Sequence, residues 1–235
     1  MAIGGKGMLV ICTDIPGEQE AEFNLWYDRE HTEERVAIPG FAGARRWVLE
    51  SGDGPKYLAL YETETFDVLS SAPYKAALAA QTDWSKKVMA HFQGVKRTLG
   101  RITRTAGLGQ GGVVTQVRLR PKAGAEDGLR ESLTAAMETL TAQPGIVSAF
   151  LLESDPELSK PLPEQVAAGG DDGSNHDWLL YVESTTAQAG ADAFAAHLAD
   201  ADLAQAGAGV RARGIYRLLW GLTRDELARE GRVPD

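Results

Sequence analysis

The sequence holds one cysteine, Cys12, and four histidines among 235 residues. A lone thiol closes no internal disulfide and builds no thiolate zinc site, so a reducing, cytoplasmic setting is the simplest expectation. His91, His176 and His197 have no partner at ligand spacing, and no H-x-x-x-H pair occurs, so no metal is expected. No apolar run approaches the ~20 residues that span a bilayer, and the segment Met1 to Cys12 lacks the long apolar core of a secretory signal. Positive charge is also short: 24 Lys and Arg stand against 33 Asp and Glu, a net charge of -9. That balance argues against nonspecific attachment to nucleic acid or anionic membranes, which needs a positive field. There is no G-x-S-x-G, no C-x-x-C and no G-x-G-x-x-G after a strand. The glycine-rich run Gly107 to Gly112 lacks the Gly-Lys-Ser/Thr ending of a phosphate loop and reads as a linker.

What is present is an ordinary globular composition, 43% apolar and 24% charged, in a chain long enough for one large domain or two small ones. Two stretches read alike. Pro39-Gly40-Phe41 leads into Ala44-Arg45-Arg46-Trp47-Val48-Leu49-Glu50-Ser51, and Pro144-Gly145-Ile146 leads into Ala149-Phe150-Leu151-Leu152-Glu153-Ser154. Tyr57-Leu58-Ala59-Leu60-Tyr61-Glu62 corresponds in the same way to Trp178-Leu179-Leu180-Tyr181-Val182-Glu183. Each part then reads β-α-β-β-α-β, an α+β ferredoxin-like order repeated in tandem. The first part, 1–107, has strands near 7–14, 43–51, 56–64 and 95–106. Its first helix runs near 17–37 with Asp14 as cap and Pro16 at the start, and a broken helical region covers 66–92. Residues 108–112 link it to the second part, 113–235, whose central hairpin carries an insert, 155–176, rich in Pro, Gly and Asp. That insert reads as disorder or as a mobile lid. The first strand is apolar on both sides, with Met8, Val10 and Cys12 alternating with Leu9 and Ile11. A sheet of that kind must meet a second layer beyond its own helices, and two such sheets in one chain can meet each other.

The densest polar-aromatic cluster is Phe23-Asn24-Leu25-Trp26-Tyr27-Asp28-Arg29-Glu30-His31-Thr32-Glu33-Glu34-Arg35. At helical spacing Phe23, Trp26, Tyr27, Glu30 and Glu34 share a face, with His31 at its border. Carboxylates on an apolar stripe need partners or water, which a polar pocket between helix and sheet supplies. The plainer alternative is that Glu30 and Glu34 are solvated and His31 caps the helix end. Arg45 and Arg46 point to opposite faces of their strand. One is expected to meet a ligand carboxylate or Glu34, and the other to lie on the surface. Tyr61 and Trp84 are candidate walls or core aromatics. Lys96, Arg97, Arg101 and Arg104 read as solvated strand residues. Counting back from Pro144 as His31 stands from Pro39 reaches Ala136, so the second part does not copy the cluster.

The run Trp26-Tyr27-Asp28-Arg29-Glu30-His31, with Glu34-Arg35, Pro39-Gly40-Phe41, Ala44-Arg45-Arg46 and Tyr57 to Glu62, resembles the dimeric α/β-barrel superfamily, closest to its EthD-like branch. The resemblance covers about residues 7–85. It implies a barrel made of two ferredoxin-like units, usually supplied by two chains and here by two halves of one. The superfamily includes cofactor-independent quinone-forming monooxygenases, muconolactone isomerases and EthD-type degradation proteins. Carried onto this chain, it implies a pocket-facing polar residue at His31.

Three readings of function follow. The first is an enzyme without cofactors acting on a small cyclic or aromatic compound. His31 is then general base or proton shuttle, and Trp26, Tyr27, Glu34, Arg46, Tyr61 and Trp84 contact the substrate. The second is a barrel that binds a ligand or is purely structural, without turnover. The third is a haem protein, since fused halves of this length also resemble the chlorite dismutase and dye-decolorising peroxidase groups, with His197 as the helical candidate ligand. The expected partner is a small molecule, with a homodimer compatible.

Overall fold

The alternation of Met8, Val10 and Cys12 with Leu9 and Ile11 is resolved by a closed barrel of eight antiparallel strands. The computed structural model describes residues 5–160 and 173–233. Its strands are β1 (Gly7–Asp14), β2 (Phe41–Gly52), β3 (Tyr57–Thr63), β4 (Gln93–Gly107), β5 (Val113–Pro121), β6 (Ile146–Ser154), β7 (Trp178–Ser184) and β8 (Ala208–Thr223). Around the barrel they run β1-β3-β2-β8-β5-β7-β6-β4. The order β4-β1-β3-β2 among the first four strands is repeated as β8-β5-β7-β6 among the last four. The seams between the two sets are β2 against β8, from Gly43↔Thr223 to Gly52↔Gly214, and β4 against β6, from Gly100↔Ser154 to Gly107↔Ser148.

The strand period of two divides the apolar residues into three layers. Met8, Val10, Cys12, Trp47, Leu58, Leu60, Val114, Phe150, Leu179, Tyr181 and Tyr216 fill the barrel interior. Leu9, Ala44, Tyr57, Ala59, Tyr61 and Leu99 face outward and are covered mainly by helices from the same part of the chain, with Leu227 added from near the C-terminus. Val117, Leu119, Leu151, Leu180 and Val182 do the same further on. No helix among the described residues is long and apolar enough to cross a membrane.

The first cover begins with a short 3-10 turn, Gly17–Gln19, and continues as α1 (Glu20–Trp26), a π-helical turn (Tyr27–His31) and α2 (Thr32–Val36). Asp14 does not cap it; its Oδ1 accepts from the Lys56 backbone N–H at 2.7 Å, stitching the end of β1 to the β2–β3 turn. α3 (Ala72–Ala79) and α4 (Asp83–Met89) follow. The region breaks first at Ser71, extended between a 3-10 turn (Phe66–Ser70) and α3, with Pro73 in the first turn of α3 where its missing N–H costs nothing. A second break falls at 80–82, and Thr82 caps α4 through the Ser85 N–H. The second cover is α5 (Glu126–Thr141), whose Leu129, Leu133, Met137 and Leu140 lie at helical spacing and are buried, with α6 (Ala187–His197) and α7 (Asp200–Gln205). α8 (Arg224–Arg229) closes the described chain behind a Thr223–Glu226 capping box.

Both Pro-Gly pairs do the same work. Gly40 and Gly145 take φ of +86° and +80°, a conformation open to glycine, and turn a helix end into β2 and β6. Residues 161–172 of the hairpin insert lie outside the described residues. The insert's first residues form a strap across β4: Ser159 Oγ accepts from the Leu99 N–H and donates to the Leu99 carbonyl, both at 2.9 Å. Arg97 donates to the Leu158 carbonyl at 2.7 Å. Arg97 is therefore buried rather than solvated, because the strap lies over it.

Candidate functional site between the first helix and the sheet

Tyr27, His31 and Arg35 stand four residues apart. In a plain α-helix that spacing drifts around the axis by about 40° per step. The wider π-helical turn over Tyr27–His31 absorbs the drift and keeps all three toward the sheet. The His31 ring lies on the Trp26 indole, centroids 4.1 Å apart, and meets Tyr27 and Tyr61 edge-on at 5.4 and 6.2 Å. Trp26 is fixed from behind by its Nε1–H donating to Ser85 Oγ at 3.0 Å. Glu30 turns toward α4, where its carboxylate accepts from the Thr82 hydroxyl at 2.7 Å, so it is a structural clasp.

From the strand side comes Arg46, 3% exposed, with its guanidinium 3.9 Å from the Tyr27 ring centre. It donates to Asn24 Oδ1 at 2.9 Å and to Asp28 Oδ1 at 3.2 Å. Asp28 Oδ1 also accepts from Trp220 Nε1 at 2.7 Å, so β8 helps hold this corner. Arg35 is 4% exposed, and its one side-chain hydrogen bond among the described residues runs from Nη2 to Gln81 Oε1 at 3.1 Å.

The electrostatics follow from burial. The His31 imidazole is held well below its ordinary pKa by desolvation and then by the charges of Arg35 and Arg46, so it is neutral near pH 7. Tyr27 and Tyr61 are pushed up by burial and keep their protons. Glu34, half-buried, has its carboxyl raised by desolvation and by the neighbouring Glu30. His31 Nδ1 and Nε and Nη1 of Arg35 are shut off from solvent and make no hydrogen bond among the described residues, while the buried Tyr61 hydroxyl has that of Tyr27 as its neighbour. The two buried cations favour negative charge beside His31 and disfavour a proton on its ring.

The structure thus gathers Trp26, Tyr27, His31, Arg46 and Tyr61. It leaves Trp84 on the outer flank of α1, donating to Glu22 at 2.9 Å, and places Glu34 beside Arg35 without a contact to His31. Arg45 is not on the surface. It points into the barrel and pairs with the buried Glu183 at 2.7 Å, because both faces of β2 are enclosed once the barrel closes. Arg35, Asn24 and Asp28 were within the quoted cluster but unassigned; the sequence signal for Arg35 was its position one turn beyond His31. The corresponding layer over β5–β7 is apolar throughout, and Ala136 is packed against it. Two cavities lie elsewhere, at opposite mouths of the barrel. One of about 320 Å³ is lined by Met8, Arg45, Leu60, Leu222 and Glu226, and one of about 400 Å³ by Asp53, Asp200, Arg213 and Ile215. Neither borders His31, since stacked rings fill the space beneath the first helix.

No family model matches the chain, and no curated protein matches it. Solved structures do. An anthrone oxidase-like protein superposes with a TM-score of 0.67 at 11% identity, over 95% of this chain and 96% of that one. A candidate monooxygenase from Fusobacterium nucleatum gives 0.57 at 12%, over 93% and 95%. One from Lactobacillus acidophilus gives 0.51 at 12%, over 93% and 97%. The likeness is one of fold: the chain has the α+β barrel of these monooxygenase-type proteins.

Proposed function

We propose that the space between the first helix and β2–β3 is the active site of a cofactor-independent enzyme acting on a small cyclic or aromatic compound. The observation that carries this is His31, a neutral and desolvated imidazole whose Nδ1 has no partner, beside two buried guanidinium groups. His31 takes a proton from an acidic C–H or O–H of the substrate. The resulting delocalised anion is held by Arg35 and Arg46 and in turn stabilises the imidazolium that their charges otherwise disfavour. In an oxygenase of the quinone-forming kind, such an anion passes an electron pair to O2. One oxygen atom then stays on the ring carbon and the other leaves as water. The names of the solved structures with this fold support an oxygenase over an isomerase. Glu34 does not touch His31, and Trp84 braces α1.

A barrel that binds a ligand or is purely structural, without turnover, is the second reading, and the close packing of the rings around His31 favours its structural form. Haem fits poorly. His197 ends α6, and the layer beneath it is filled by Leu129, Leu133, Met137 and Phe194, each at most 2% exposed. We further read the chain as two ferredoxin-like units, 1–107 and 113–235, fused in tandem. The repeated strand order supports that reading, as does the absence of the His31 cluster from the second unit.

The test is oxygen uptake and product formation across a panel of hydroxylated aromatics, with metal-free protein and the variant His31→Gln. Turnover in the wild type that falls about a hundredfold or more in the variant supports the enzyme. Binding of panel members without turnover supports the binding barrel. Turnover unchanged in His31→Gln would remove His31 from the mechanism.

A further inference from the structure

The mouth of the barrel at the β2–β8 seam holds a cavity of about 320 Å³, a size that suits a small molecule. Both parts of the chain build it. β1, β2 and β3 line one side, β8 and the start of α8 the other, and Gln110 of the linker also borders it. Its inner end rests on Met8 and Leu60, which belong to the apolar filling of the barrel, and Leu222 lines it from β8. Gly221 stands opposite Arg45 across the seam. A Cβ at 221 would come within 3.0 Å of Arg45 Cγ and crowd the wall. None of the described lining residues carries an aromatic ring, so the walls are aliphatic.

The charge around the cavity is of one sign. Glu62, Glu64 and Glu226 border it, and Arg45 is the one cation in the described lining. The charge of Arg45 is already answered: its Nη1 donates to Glu183 at 2.7 Å, and its Nη2 is shut off from solvent. Glu183 in turn accepts from the Gly111 N–H at 2.8 Å, so that pair is closed within the wall. Glu64 and Glu226 make no ion pair among the described residues. The Thr223 N–H and hydroxyl both donate to Glu226 Oε2, at 2.8 and 2.7 Å, and favour its charged form. No three acidic, histidine or cysteine side chains among the described residues are grouped to hold a metal ion, so the rim suits a larger cation with diffuse contacts. An anion would meet like charge there.

We propose that this mouth of the barrel binds a small aliphatic amine in its protonated form, with the hydrocarbon body on Met8, Leu60 and Leu222 and the ammonium among Glu62, Glu64 and Glu226. The site is separate from the His31 cluster and does not depend on the reading of that cluster.

Hexylamine, 1-hexanol and hexanoate share a chain and differ in charge at neutral pH. Each is titrated into the full chain carrying carbon-13 methionine methyls. The Met8 signal, assigned as the one missing from Met8→Leu, reports on the cavity. Hexylamine is expected to move that signal saturably and to bind at least about fivefold more tightly than hexanol, with hexanoate the weakest. Glu64→Gln combined with Glu226→Gln should bring hexylamine to the affinity of hexanol. Glutamine at 226 keeps the capping contact to Thr223, so the melting temperature of this double variant should hold. Ala42→Leu, which fills the cavity from β2, should weaken both hexylamine and hexanol about tenfold. Equal affinities for the three compounds would overturn the cation and leave an apolar cavity. Tightest binding of hexanoate would overturn it too and give the charge selection to Arg45. A preference for hexylamine that survives the double variant would overturn the role of the two carboxylates. A Met8 signal unmoved by all three compounds would overturn the site.

Discussion

The His31 imidazole lies nearly parallel to the Trp26 indole, with planes 27° apart. A ring so placed has its face occupied and its edge free. The ring meets Tyr27 and Tyr61 nearly at right angles, while stacking and the Trp26–Ser85 hydrogen bond hold its plane.

Acid should weaken the fold through this ring. His31 has a native pKa well below its unfolded value of about 6.5, so the unfolded chain binds more protons at pH values between the two. Its contribution is complete above about pH 6.5 and is lost as pH falls toward the native value. Thermal melting of wild type and His31→Gln from neutral pH downward should show the wild type losing more stability. Parallel curves would mean that His31 titrates normally in the native state.

Arg224 anchors the far end of the same helix. Its Nη1 donates to the carbonyls of Val36, Ala37 and Ile38 at 3.0–3.1 Å, the oxygens that a helix C-terminus leaves unpaired. Arg224→Ala should cost about 1–3 kcal/mol in denaturant unfolding. Arg224→Lys should recover only part, since its ammonium stops short of the place of Nη1. A loss within error of zero would show that water satisfies those carbonyls equally well.

Inside the barrel, Arg45 and Glu183 form a pair almost wholly out of water, and Glu183 also accepts from the Gly111 N–H at 2.8 Å. Glu183→Gln alone should be costly, about 3–5 kcal/mol, because it strands a buried cation. Arg45→Met combined with Glu183→Leu should cost clearly less than the sum of the single changes. Strict additivity in the double-mutant cycle would contradict a coupled pair.

The second cover gives the control. Leu133→Ala, in the apolar α5 layer, should lower stability by about 2–5 kcal/mol and leave any ligand affinity at the His31 cluster unchanged. A change in affinity would mean that the two covers communicate through the sheet.

Much of this arrangement could be read from residue order. The double-sided apolar pattern of Met8 to Cys12 demanded a second layer, and the two Pro-Gly turns marked the matching strands β2 and β6. The His31 cluster stood out because carboxylates and a histidine interrupt an apolar face. What could not be read was set by contacts between distant residues. Whether Arg45 faces water or a barrel interior depends on β8 closing against β2, more than 160 positions away. Trp84 pairs with Glu22 rather than Tyr61 because the break at 80–82 sets the angle of α4, which local spacing does not encode.

The seams β2–β8 and β4–β6 join the first four strands to the last four within one covalent chain. Where two separate chains meet along such edges, assembly depends on how often they collide, and dilution pulls them apart. Here the tether between Gly107 and Val113 fixes the local concentration of one set for the other, whatever the amount of protein in solution. The melting temperature of this barrel should therefore be indifferent to dilution. The two sets of strands are always present one to one, and their covers differ: one holds a histidine and two buried arginines, and the other is apolar.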